Sequence, residues 1–118
     1  MSASDDQTNL HDLGRELLER AANETPRRAG RTLPHPVDGL RQTVIALMGG
    51  AELSEHESPG PASLLVIRGH VRLVAGDETV ELRTHEIGPI PNRRHSLHAD
   101  ENSVVLLSVA VPARAPVD

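Results

Sequence analysis

From about residue 40 onward, short apolar runs alternate with turn-forming residues. Runs of this length, separated by Gly, Pro, Asn or Asp, are typical of strands in an antiparallel barrel or sandwich. The predicted strands are Leu40–Met48, Ala51–His56, Ala62–Arg68, His70–Ala75, Thr79–Arg83, Ile87–Pro91, His95–Ala99 and Ser103–Val111. No helical period separates them, which excludes parallel βαβ units. The pattern predicts an all-β fold.

One helix is predicted ahead of the strands. Its apolar positions recur at intervals of three and four, which is the period of an amphipathic helix: Leu10, Leu13, Leu17, Leu18 and Ala21. Asn9 is the expected N-cap, because its side chain can accept a hydrogen bond from the first turn. A single helix cannot bury its own stripe, so it is expected to dock on the sheet or on a partner subunit.

These elements divide the chain into four segments. Residues 1–8 are polar and are expected to be disordered. Residues 9–39 hold the helix and a connector rich in Pro and Gly, with a short edge strand expected around Arg31 to Leu33. Residues 40–111 form the barrel, and residues 112–118 are a loose tail.

Two of the predicted strands are apolar on both faces. They contain Leu64–Ile67 and Val104–Leu107. A strand that is covered on both sides lies between the barrel interior and a second layer. The helix, the other sheet or another subunit could supply that layer, and we predict that a subunit interface covers part of it, in a homodimer.

Composition narrows the range of partners and compartments. The 118 residues suffice for one domain, and 12 basic against 17 acidic residues give a net charge of −5. Such a chain has no long-range attraction to nucleic acid or anionic lipid. No run approaches the roughly 20 apolar residues that cross a bilayer, and the acidic N-terminus is unlike a signal peptide. We therefore expect a cytoplasmic protein with no nucleic-acid or membrane partner.

Two absences exclude particular chemistries. The chain has no cysteine, so disulfides, thiolate nucleophiles and cysteine-ligated metals are excluded. It also has no Phe, Tyr or Trp. A pocket in this protein therefore lacks a stacking surface, a tyrosine acid and a cation–π cage.

Three strings carry a resemblance to a known family. They are Glu52-Leu-Ser-Glu-His-Glu-Ser-Pro-Gly60, Leu65-Val-Ile-Arg-Gly-His-Val-Arg-Leu73, and Ile90-Pro91 followed by Arg94-His-Ser-Leu97. Over residues 40–111 the chain resembles a small single-domain cupin. The resemblance implies an antiparallel jelly-roll β-barrel, here with one N-terminal α-helix, and a ligand pocket inside the barrel.

The resemblance also implies which positions would hold a metal ion. Metal-binding cupins commonly offer two histidines one residue apart, a glutamate seven residues before a glycine, and a third histidine later in the chain. These positions correspond here to Ser54, His56, Ala62 and His95, with Gly69 as the glycine. Because residues i and i+2 of a strand point the same way, Ser54 and His56 are expected to share one face. Serine is a poor ligand for a transition metal and alanine is none. We therefore expect no resident metal; if a divalent transition metal binds, His56 and His95 hold it weakly.

Two arginines stand close to the second histidine. Arg93 and Arg94 could clamp a carboxylate or phosphate at the pocket mouth. The alternative is that they are solvated or paired with Glu55, Glu57 or Glu86. The hypothesis of a ligand clamp and the hypothesis of ion pairs both remain open at this point.

The combined prediction is a small-molecule-binding cupin domain. A small organic ligand would occupy the barrel, with Ser54, His56, Ala62 and His95 at the family's ligand positions, and with Arg93 and Arg94 nearby. One alternative is a mononuclear metal-dependent oxygenase or isomerase that uses His56 and His95. A dimer with a purely structural or partner-binding role is the other.

Overall fold

The computed structural model describes residues 7–34, 37–58 and 60–112. The elements are α1 (Leu10–Ala22), β1 (Arg28–Thr32), β2 (Leu40–Leu47), β3 (Glu52–His56), β4 (Ala62–Arg68), β5 (His70–Ala75), β6 (Glu78–Arg83), β7 (Ile87–Pro89), β8 (His95–Ala99) and β9 (Ser103–Ala110). The predictions for residues 1–6 and 113–118 lie outside the described residues. Among the described residues, no helix is both long and apolar enough to cross a membrane.

The nine strands form two antiparallel sheets. The five-stranded sheet has the order β1-β2-β9-β4-β7, and the four-stranded sheet has the order β3-β8-β5-β6. All eight predicted strands are present, most within one residue of the expected bounds. The expected edge strand in the connector lies slightly earlier, and it pairs with β2. The architecture is the predicted all-β one with a single N-terminal helix, although the two sheets do not close on each other.

The core lies between the two sheets. Alternate residues of the strands point inward, as the strand period requires. The buried apolar cluster draws on both sheets: Leu47, Ala51, Leu64, Val66, Val71, Leu73, Leu82, Leu97, Ala99 and Val105. The apolar side chains of this core are all aliphatic, because the chain has no Phe, Tyr or Trp.

Helix α1 covers the outer face of the five-stranded sheet. Asn9 caps it, accepting a hydrogen bond from the backbone N–H of Asp12 at 2.9 Å. The buried stripe of the helix and the outer residues of β2 and β9 form a second apolar cluster, comprising Leu13, Leu17, Ala21, Val44, Ala46 and Val104. The helix is therefore the second layer over β2 and the start of β9.

The outer face of the same sheet continues beyond the helix onto β4 and β7. Leu65 stands directly opposite Ile87, which is 63% exposed. This part of the face is the one that the predicted homodimer would cover. The homodimer stays a prediction.

Gly69 is the point at which the chain passes from one sheet to the other. It is the single residue between β4, in the five-stranded sheet, and β5, in the four-stranded sheet. Its φ of 104° belongs to a region that L side chains rarely adopt. Its backbone N–H donates to Thr84 Oγ1 at 2.9 Å.

Candidate functional site

A β-bulge in β3 brings His56 to the inside of the barrel. Leu53 pairs with Leu97 and His56 pairs with His95, but the register shifts between the two pairs. A bulge places an extra residue in one strand and re-aims the side chains beside it. Leu53 and His56 therefore both line the barrel cavity although they are three residues apart. The strict alternation expected for Ser54 and His56 does not hold.

The cavity is small and almost entirely aliphatic. The centre of a water-sized sphere can occupy a volume of about 40 Å³ inside it. It is lined by Ile45, Leu53, His56, Leu64, Leu73, Ile90, His95, Leu97 and Leu107. His95 is only 2% exposed, whereas His56 is an exposed residue, so the cavity reaches solvent beside His56.

The two histidines meet inside this cavity. Their ring centroids are 4.5 Å apart in an edge-to-face arrangement. Nδ1 of His56 lies 2.8 Å from the backbone oxygen of Ser54, and Nδ1 of His95 lies 2.7 Å from that of Arg93. Because a carbonyl oxygen only accepts, each Nδ1 must donate, and in the neutral ring Nε2 is then the acceptor. Neither Nε2 has a hydrogen-bond partner among the described residues, so both are unpaired acceptors in the neutral rings.

Ser54 and Ala62 do not join the histidine pair. Ser54 is exposed, and its side chain does not line the cavity. Ala62 is partly buried opposite Val109 and is also not among the lining residues. The structure thus brings His56 and His95 together without the two other positions that the resemblance implied. The ligand-binding roles of all four residues stay predictions.

Comparison with solved structures identifies the fold. No protein-family model matches the sequence, and no curated protein matches it. A conserved protein of unknown function from Streptococcus pyogenes is 30% identical, with a TM-score of 0.66, over 77% of this chain and 80% of that one. A cupin superfamily protein from Desulfitobacterium hafniense is 16% identical, with a TM-score of 0.65, over 72% of this chain and 78% of that one. The chain is a small cupin-fold protein.

A larger cupin-fold protein is similar in structure as well. Salicylate 1,2-dioxygenase from Pseudaminobacter salicylatoxidans is 17% identical, with a TM-score of 0.72, over 91% of this chain and 38% of that one. The predicted resemblance and fold class are therefore confirmed. At these identities the likeness to the two cupins shows the fold alone.

Arg94 forms ion pairs at the rim of the cupin barrel. Its Nε donates to Glu55 at 2.9 Å, and its NH1 donates to Glu57 at 3.1 Å. These hydrogen bonds, from Glu55 first and Glu57 second, raise the pKa of the Arg94 guanidinium above its usual value. Because the group is fully exposed, water and salt screen the pairs strongly.

Arg93 points to the far side of the rim. It donates to the backbone oxygen of Ala75 at 2.9 Å and contacts the Glu78 carboxylate. Neither Arg93 nor Arg94 lines the cavity. The ion-pair alternative describes both arginines in this conformation, with Glu78 rather than Glu86 as the partner of Arg93.

Two other histidines belong to the outer face of the four-stranded sheet. His98 is three residues from His95 on β8, so it faces away from the cavity, and its Nδ1 lies 3.1 Å from Glu52. His70 follows Gly69 at the start of β5, and its side chain is only 22% exposed. The side chain of His70 lies close to those of Glu81, on β6, and Asp100, in the segment between β8 and β9. Sequence spacing could not reveal this group, because strand register alone brings the three residues together.

Proposed function

We propose that this cupin-fold protein binds a small organic molecule in the barrel cavity, with His56 and His95 as its polar contacts. The observation that carries the proposal is the pair of unpartnered Nε2 atoms in an otherwise aliphatic cavity. Ligand pockets are typically apolar, with a few placed polar groups that fix orientation. The two Nε2 acceptors favour a ligand with O–H or N–H donors.

The volume of the cavity restricts the size of that ligand. One water needs roughly 10–15 Å³ on this measure, so about 40 Å³ holds on the order of three water-sized groups. A short diol or a short hydroxy acid supplies hydroxyl donors and has five or six non-hydrogen atoms. About half of such a ligand fits inside the cavity, and the rest would extend past His56 into solvent.

Thermal melting of the full-length protein with 1,2-propanediol and with lactate tests the proposal. A bound ligand stabilises the folded state, and the shift grows with ligand concentration. We expect at least one of the two compounds to raise the melting temperature. The apparent affinity is expected to fall at least tenfold in His95→Leu and in His56→Leu. Each variant replaces a hydrogen-bond acceptor with an apolar side chain that still fills the cavity wall.

His11→Leu is the matched control, because it makes the same change at an exposed helix position. It should leave the shift unchanged. A shift of equal size in His95→Leu would place the binding elsewhere, and the absence of any shift with both compounds would contradict the proposal.

A mononuclear metal enzyme is the second candidate function. Its support is the pair of Nδ1 bonds to backbone carbonyls, which is a common way to orient metal-ligating imidazoles. However, no third His, Asp or Glu joins His56 and His95 among the described residues. Two imidazoles leave most of a metal shell to water or substrate, so we assign no reaction step to such an ion. Metal analysis of the purified protein distinguishes the two candidates.

A further inference from the structure

A second group of ligating side chains lies outside the barrel. His70 begins β5, Glu81 lies on β6, and Asp100 follows β8. His70 Nε2 is 3.3 Å from Glu81 Oε1 and 3.6 Å from Asp100 Oδ2. One donor atom from each residue lies within 4.8 Å of the other two. This trio is distinct from the His56–His95 pair, which lines the interior.

The backbone holds the trio in place. The N–H of Asp100 donates to the oxygen of His70 at 2.9 Å, and the N–H of His70 donates to Ser103 Oγ at 3.0 Å. Arg72 Nε donates to Asp100 Oδ1 at 2.9 Å, so the other oxygen, Oδ2, faces His70. Such support of a carboxylate by a neighbouring donor is typical of the groups that surround metal ligands.

His70 Nε2 has no hydrogen-bond partner within the described part of the chain. The atom is inaccessible to solvent, and its contacts with the two carboxylates lack the geometry of a hydrogen bond. A buried polar atom without a partner is unfavourable and calls for an explanation, such as a bound ion. The missing hydrogen bond at His70 Nε2 is a separate feature from the proximity of the Glu81 and Asp100 carboxylates.

The two separations from His70 Nε2 match those between ligands of a small metal ion. Zinc lies about 2.1 Å from nitrogen and oxygen ligands, so two ligands in tetrahedral geometry are about 3.4 Å apart. The two distances from His70 Nε2 bracket this value. We propose that His70, Glu81 and Asp100 bind a divalent transition-metal cation of the zinc class on the outer face of the four-stranded sheet. The two carboxylates and the one guanidinium leave a net negative charge that favours a cation.

Isothermal titration of the full-length protein with Zn²⁺ tests this site. The titrations use a His95→Leu background, which removes an imidazole of the interior pair. We expect one Zn²⁺ per chain to bind in that background. Affinity should fall at least tenfold in His70→Gln and in Glu81→Gln, because loss of a ligand weakens a site at least as much as loss of a supporting group does.

His98→Gln is the matched control. His98 lies on the same sheet face and pairs with one carboxylate, that of Glu52, but no third ligand completes a group with it in the described chain. It should leave the Zn²⁺ affinity unchanged. Because Glu81 is half-exposed, Glu81→Gln tests the site even if His70→Gln does not fold. No binding in the His95→Leu background, or equal affinity with and without the Glu81 carboxylate, would overturn the proposal.

Discussion

Replacing Leu17 by alanine is expected to lower the free energy of unfolding by about 2–5 kcal/mol. Leu17 is fully buried between helix α1 and the outer face of the sheet, where it belongs to the cluster that contains Val44 and Val104. The substitution removes apolar contact and leaves a cavity, and both effects destabilise the folded state. Urea denaturation monitored by circular dichroism measures the change.

Leu18→Ala is the matched control for this prediction. It makes the same chemical change one residue further along the helix, where the side chain is only partly buried. We expect a clearly smaller loss. Equal and small losses, below about 1 kcal/mol for both variants, would mean that the helix is not docked on the sheet.

Gly69→Ala is expected to destabilise the protein still more, by above about 4 kcal/mol, and to yield little folded protein. An added Cβ would overlap with Ser103 Oγ and would lie 2.7 Å from the backbone oxygen of Asn102. Ser103 is the first residue of β9, a central strand of the five-stranded sheet, and Asn102 directly precedes it, so these atoms cannot move without disturbing the strand. The positive φ adds backbone strain of about 1–3 kcal/mol.

Gly50→Ala separates the effect of backbone strain on stability from the effect of the steric overlap at Gly69. Gly50 has a similar φ of 91°, but an added Cβ would meet nothing within 4 Å. This variant should lose only the strain energy and remain folded. Equal melting temperatures of the two alanine variants would contradict the steric overlap expected at Gly69.

The sequence was sufficient to predict the strands and the helix. Apolar runs such as Ala62–Arg68 and His95–Ala99 end at turn residues, so their bounds follow from local chemistry. The helix is also predictable from local sequence features, because Asn9 caps it and its leucines have helical spacing. Gly14, which weakens an isolated helix, is explained only by the tertiary structure, since an added Cβ would lie 3.0 Å from Val104.

The candidate site was predictable only in part. His56 and His95 were identified from their positions in the motif, and the structure brings them together. The bulge in β3 could not be read from alternation, so Ser54 was placed beside His56 on the same face. A one-residue irregularity of this kind reverses the side chains beyond it. Resemblance to a motif therefore located the pair of histidines but not their neighbours.

Contacts between distant strands account for the other differences. The sequence indicated that β4 and β9 are apolar on both faces but not what covers their outer faces. In the structure the helix covers the start of β9. Contacts between distant strands also determine the surroundings of His70. Its surroundings depend on the pairing of β5 with β6 and β8, which no local pattern specifies.

Nuclear magnetic resonance of the histidine ring nitrogens tests the central claim most directly. With ¹⁵N-labelled protein at about pH 8, where an ordinary imidazole is neutral, the account predicts that His56 and His95 both carry hydrogen on Nδ1. Addition of 1,2-propanediol or lactate should shift the Nε2 resonances of these two residues and leave that of His98 unchanged. Hydrogen on Nε2 of either residue, or Nε2 resonances that do not move with either compound, would contradict a ligand site built on this pair.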